Sequence, residues 1–143
     1  KYRWMGTSRY TVLSVLEVFT YSPRPAALVI GNKRISDDFT FIIACNTIHT
    51  GKGMKMAPKA KLDDGLMDII VVKHKASRLK LLSMLPKVFE GTHINHPLVE
   101  YYKASEFSLI PKEDEILNID GEIAGSTPID VKVIPKKIEI FCK

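Results

Sequence analysis

The sequence predicts a mainly β (α+β) fold, an antiparallel β-sandwich with two helical segments appended. Short β-branched, apolar runs recur along the chain, and the Gly-, Pro- and Asn-containing connections between many of them are too short for crossover helices. Only two stretches switch to helical spacing. Apolar residues make up 45% and charged residues 26% of the 143 positions, enough for one domain with its own core, and no repeat or low-complexity tract interrupts them.

Taken in order, Val12, Leu13, Val15, Leu16 and Phe19 set among Thr11, Ser14 and Glu17 predict an amphipathic helix over 8–19, capped by Thr7 or Ser8 and ended by Pro23 and Pro25. Ala26 to Ile30 reads as a strand closed by a Gly31-Asn32 turn. Phe39 to Cys45 is the strongest strand candidate, followed by a polar, Gly-rich loop over 46–53. Met67 to Val72 reads as a buried strand. From Ser77, which can cap a helix, Leu79, Leu82, Leu85 and Phe89 take up helical spacing, and Pro86 predicts a kink or break within it. Beyond the turn-rich stretch around His93 to Pro97, strands are expected at Glu106 to Ile110, Ile116 to Ile119, Ile129 to Ile134 and Ile138 to Phe141.

The chain starts at Lys1 rather than Met and has no signal-like opening, which predicts a piece of something longer. Every apolar run is cut by Lys, Asp or Pro well short of the roughly 20 residues that span a bilayer, so membrane contact is expected to be peripheral. Cys45 and Cys142 each sit in an apolar run, as free thiols of a reducing compartment do. A net charge of +5 favours an anionic partner (nucleic acid, nucleotide phosphate or acidic lipid) without choosing among them.

Gly51-Lys52-Gly53 lacks the flanking residues of a Walker loop and completes no dinucleotide fingerprint. His93 and His96 have no Cys or carboxylate at ligand spacing, so solvated turn histidines are expected rather than a zinc site. The informative stretch runs from Gly51 to Asp68. Its glycines allow close backbone approach to a ligand, and Asp63-Asp64-Gly65 is a turn whose carboxylates can accept a hard cation. The bland alternative is a hairpin turn beside a solvated basic edge of Lys55, Lys59 and Lys61. A second Asp-Gly pair, Asp120-Gly121, precedes Glu122 and an expected Ala124-Gly125-Ser126 turn; it is either another plain turn or a carboxylate pair suited to phosphoryl transfer.

The segment from Asn46 to Asp68, with Gly51, Gly53, Ala57-Pro58, Ala60, Asp64-Gly65 and Asp68, resembles the C-terminal signature of the diacylglycerol, sphingosine and ceramide kinase superfamily. Asp120-Gly121-Glu122 follows at a matching distance, and the likeness extends to the leading RWMGTSRYTVLSVLEVF stretch. The resemblance implies that residues 1–143 form the C-terminal β-sandwich domain of a two-domain lipid kinase. The partner domain would be an N-terminal nucleotide-binding domain of the same protein, with the cleft between them. That family keeps its nucleotide loop in the N-terminal domain, so this chain alone is expected to be inactive.

Carried over by position, Glu122 and Asp120 are the expected catalytic residues, and Gly121, Asn46, Gly51 and Gly53 the expected nucleotide-binding ones. Asp64, with the backbone carbonyls of Lys61 and Leu66, is implied to hold Mg²⁺. The implied cofactors are ATP and Mg²⁺. The implied substrate is a lipid hydroxyl, at a cytoplasmic, acidic membrane surface approached through lysines such as Lys73, Lys75, Lys80 and Lys87. No nucleic acid is implied, and a homodimer is left open. Leu79, Leu81, Leu82, Met84, Leu85, Val88 and Phe89 are either core or the lining of an acyl pocket. Two other readings stand beside the lipid kinase: an NAD kinase-like enzyme, and a non-catalytic module that docks on membranes or a protein.

Overall fold

A computed structural model describes residues 22–51, 53–73 and 77–139. The expected helix over 8–19, residues 140–141 of the last expected strand, Cys142 and Lys75 lie outside the described residues. Six strands form one antiparallel sheet: β1 (Arg24–Ile30), β2 (Lys33–Cys45), β3 (Met67–Lys73), β4 (Val99–Ala104), β5 (Glu106–Pro111) and β8 (Ile129–Lys132). Their spatial order is β4-β3-β2-β1-β5-β8, and β6 (Ile116–Ile119) with β7 (Glu122–Ser126) makes a separate two-stranded hairpin between β5 and β8 in the chain. The body is mainly β and sandwich-like, as expected.

Strand alternation sends β3 side chains to both faces of the sheet, and both faces are buried. Ile70 and Val72 join one cluster with Leu81, Met84, Val99, Ala57 and Ala60. Ile69 and Val71 join another that draws on all six strands, with Leu28, Phe39 and Phe107 at its centre. A register shift between Phe39 and Phe41 lets β2 serve both. Two residues apart, these phenylalanines belong to opposite clusters, because the bulge at Thr40 inverts the alternation.

Helix α1 (Arg78–Glu90) covers the first face. Ser77 caps it, accepting the Lys80 N–H at 3.4 Å, and it runs through Pro86 without the expected break. Leu81, Met84 and Val88 are buried core, while Leu79 and Phe89 are exposed. At its end Gly91 takes φ 79°, and a Cβ there would lie 3.1 Å from Pro58 Cβ, so only glycine fits where the loop over 54–60 meets the helix. The Lys55 N–H bonds the Val88 carbonyl, and His93, in a short 3₁₀ turn (His93–Asn95), meets the Met56 carbonyl through Nε2 at 3.1 Å. His93 is thus buried at 2% exposure, not solvated as its turn-rich setting predicted.

The strands also differ from expectation in four places. Val99–Ala104 is a strand, Ala124-Gly125-Ser126 belongs to β7 rather than a turn, β8 ends at Lys132, and Ile138 and Glu139 lie outside any strand. The β6–β7 hairpin is held at its base: Glu115 N–H donates to Thr127 Oγ1, Thr127 N–H donates to the Glu115 carbonyl, both at 2.9 Å, and the Arg24 guanidinium pairs with Glu115 at 2.9 Å.

Burial holds the pKa of His93 below the usual imidazole range, against the opposing pull of the Met56 and Lys87 carbonyls. The unfolded chain therefore takes up this proton first, near pH 6.5. The stability His93 contributes is complete above that pH and is lost as pH falls through its lower folded value. Thermal melts between pH 7.5 and 5.5 should show a falling midpoint, and His93→Phe should flatten the slope; an unchanged slope in the variant would refute the assignment.

Candidate functional site

The site grows from one row of the sheet. Asp68 of β3 pairs with Cys45 at the end of β2 on one side and with Lys103 of β4 on the other. Asp68 is completely buried, so its carboxylate must find partners inside the protein. Tyr101, one row along on the same face, donates its hydroxyl to Asp68 Oδ1 at 2.6 Å and accepts the Lys59 N–H at 3.3 Å. Burial, then the bond to Asp68, pushes the Tyr101 phenol well above its ordinary pKa, which keeps it a donor at any physiological pH.

The Lys103 ammonium lies 3.4 Å from Asp68 Oδ1 and 3.0 Å from Asp64 Oδ2. Asp64 Oδ1 accepts the Leu66 N–H at 3.0 Å, closing the Asp63-Asp64-Gly65 turn on itself, with Gly65 at φ 69°. The bond from Lys103 and then that from Leu66 hold the Asp64 pKa below the usual carboxylate value. The expected turn is present, and its Asp64 carboxylate is bonded to Lys103 and to the Leu66 N–H.

Cys45 links this row to the other acidic turn. Its thiol lies 3.9 Å from Thr50 Oγ1, on the loop that holds Asn46, Gly51 and Gly53. Burial raises the thiol pKa against the Thr50 bond, and the carboxylates of Asp68 and Asp120 raise it further. The antiparallel register carries the start of β3, the end of β5 and the start of β8 to one end of the sheet, so the Asp64-Gly65 turn and the β6–β7 hairpin with Asp120-Gly121 leave the sheet at that end. Asn46, Gly51 and Gly53 are exposed there, and Gly51 and Gly53 have φ of 60° and 86°. Asp120 (φ 53°) and Gly121 (φ 94°) form the two-residue loop joining β6 to β7, with the Gly121 N–H bonded to Asn118 Oδ1 at 2.9 Å. Glu122 is exposed as the first residue of β7.

Among the described residues no group of three or more His, Cys, Asp and Glu can hold a metal. A set of one carboxylate, Asp64, with the Lys61 and Leu66 carbonyls is a different kind of site. It is all-oxygen, as Mg²⁺ requires, and Asp68 Oδ2 in the adjoining network is buried without a hydrogen-bond partner. The donor chemistry fits the ion.

Tyr101 and Lys103 were missed in the sequence because β4 was not read as a strand. The signal was present: Val99, Tyr101 and Lys103 alternate with Glu100 and Tyr102, the period of a strand. Lys73 was expected to face a membrane, but its ammonium is engaged by Glu100 at 2.7 Å and Asp37 at 3.7 Å.

The family profile that matches residues 1–142 is described as the YegS C-terminal NAD kinase beta sandwich-like domain, in keeping with the sandwich-like body. The chain belongs to that family. A diacylglycerol kinase of Mycobacterium tuberculosis is 30% identical over 97% of the chain and 45% of its own length. One of Staphylococcus saprophyticus is 38% identical over 61% of the chain and 28% of its own length. A solved Bacillus anthracis structure described as a diacylglycerol kinase shares the fold with a TM-score of 0.74 at 21% identity, covering 94% of the chain and 46% of its own. The chain spans less than half the length of these relatives.

Removing the Tyr101 hydroxyl leaves a buried carboxylate short of its best donor. Tyr101→Phe should lower unfolding free energy by about 1–3 kcal/mol, read as a shift in the urea midpoint at unchanged slope. An unshifted midpoint would show that the bond contributes nothing.

Proposed function

We propose that the chain supplies the C-terminal half of the active-site cleft of an ATP-dependent lipid kinase acting on a diacylglycerol- or sphingoid-type hydroxyl. The observation that carries this reading is the convergence of two Asp-Gly turns at one end of the sheet, one tied down and one exposed. Named diacylglycerol kinases among the relatives support the acceptor class, and their kinase activity implies ATP. An N-terminal nucleotide-binding domain of the same protein would face the exposed turn.

In this reading the lipid hydroxyl oxygen attacks the γ-phosphorus while the bond from that phosphorus to the β–γ bridging oxygen breaks and ADP leaves. Glu122 takes the hydroxyl proton, and Asp120 and Gly121 shape the turn that presents it. Asn46, Gly51 and Gly53 offer exposed backbone for close approach to phosphate. Asp64, with the Lys61 and Leu66 carbonyls, would hold Mg²⁺, which would supply positive charge beside the turn. Among the described residues no helix is long and apolar enough to cross a membrane. With Lys73 engaged, Lys80 and Lys87 on α1 remain to approach an acidic membrane peripherally.

Glu122→Gln in the whole protein should lower lipid phosphorylation about 10²- to 10⁴-fold at an unchanged melting temperature; near-normal turnover would discard the role. The family's NAD kinase-like description favours NAD as the second acceptor, so a radiolabelled transfer assay over a lipid panel should include it. Millimolar Mg²⁺ should raise the melting temperature of the whole protein, and Asp64→Ala should abolish the rise. No rise in the unmutated protein would remove Mg²⁺ from the site.

A further inference from the structure

Lys103 is paired with the carboxylate of Asp64, the one side chain assigned to Mg²⁺. Among the described residues it is the only ion-pair partner of Asp64 and of Asp68. Its ammonium lies 3.0 Å from Asp64 Oδ2, while Oδ1 is bonded to the Leu66 N–H. Both oxygens of Asp64 therefore have partners within the protein, and a cation at this carboxylate would meet a positive charge within the same hydrogen-bonded group.

We propose that Lys103 is a resident cation that holds the Asp63-Asp64-Gly65 turn in its binding shape and at the same time weakens the binding of a divalent cation at Asp64. The proposal rests on the assignment of Mg²⁺ to Asp64. Two carboxylates and one ammonium leave a single net negative charge. A monovalent ion gains little from Asp64 that the ammonium does not already take, whereas a small divalent ion has the charge density to share the carboxylate. Lys103 acts in this way as a positioning residue that tunes affinity and favours divalent over monovalent ions. It reaches both carboxylates because β4 places it beside Asp68, with its stem along the sheet and its head towards the turn.

A purely structural lysine and a tuning lysine give opposite signs on removal. If Lys103 only supports the turn, neutralising it weakens Mg²⁺ binding along with stability. If it also competes for the carboxylate, binding tightens. Calorimetric titration of MgCl₂ into the whole protein should show Lys103→Gln binding about 10-fold tighter than the unmutated protein and Lys103→Arg, which keeps the charge, close to it. Equal or weaker binding by Lys103→Gln, or equal tightening by Lys103→Arg, overturns the proposal.

Where Lys103→Gln fails to fold, Asp68→Asn removes the buried charge that needs the lysine. The Asp68→Asn/Lys103→Gln double variant should then bind Mg²⁺ more tightly than Asp68→Asn alone, and the reverse order overturns the proposal. Mg²⁺ binding by the unmutated protein without tightening in these variants defeats the role of Lys103 and leaves the metal assignment standing. Binding only after neutralisation upholds the lysine's role and removes Mg²⁺ from the native site. Binding in none of the proteins defeats both.

Discussion

One buried carboxylate organises the functional end of this domain. Asp68 sits at the start of β3 with no solvent exposure, where an unpaired charge costs several kcal/mol. Its partners, Tyr101 and Lys103, both come from β4, on the same face and in adjoining register. The cost of leaving that carboxylate alone thus pins an edge strand to the sheet. It also recruits the Asp64 turn, because the ammonium that answers Asp68 reaches Asp64 as well. The loop over 54–60 is drawn in from the other side, since Tyr101 accepts the Lys59 N–H.

Such an arrangement needs a sheet whose strands cannot slip, and the two apolar clusters provide it. A one-residue slip of β3 would exchange Ile69 and Val71 with Ile70 and Val72 and expose Asp68's neighbours to the wrong face. Among the described residues of the six-stranded sheet, the register shifts at Thr40, where Phe39 and Phe41 supply different clusters. The β6–β7 hairpin is built differently. All its residues but Leu117 are exposed, including Ile116, Ile119 and Ile123. A lone two-stranded hairpin is marginal in water. Its anchorage is the Thr127–Glu115–Arg24 base, and its tip carries Asp120, Gly121 and Glu122.

What the sequence revealed depended on how local each signal was. β1, the core of β2, β3 and the Ser77 cap were legible because period, turn residues and cap lie within a few positions of one another. β4 escaped because its row on the α1 side mixes Tyr and Lys with a single Val, and that row makes sense only beside Asp68, which is 33 positions from Tyr101. β7 was read as a turn because Ala124-Gly125-Ser126 has no apolar face, a pattern explained by a hairpin exposed on both sides. His93 looked solvated because its partner, the Met56 carbonyl, is 37 positions away on a loop closed by Gly91. In the site, the two Asp-Gly turns and their resemblance to a lipid kinase signature were legible, while the Tyr101 and Lys103 network that fixes one of them was not.

The two acidic turns differ in the property that matters for chemistry. Asp64 is engaged by the Lys103 ammonium and the Leu66 N–H, and Asp68 by the Tyr101 phenol and the same ammonium. The bonds to Asp64 hold its pKa below the usual carboxylate value, so it is a poor proton acceptor. Glu122 forms no ion pair among the described residues, and it projects from an exposed strand beside a turn fixed by its own backbone and Asn118. The proton acceptor of the proposed reaction needs that freedom. The domain therefore separates the carboxylates that hold its shape from the exposed Glu122, which lies near the tip of an element with little core of its own.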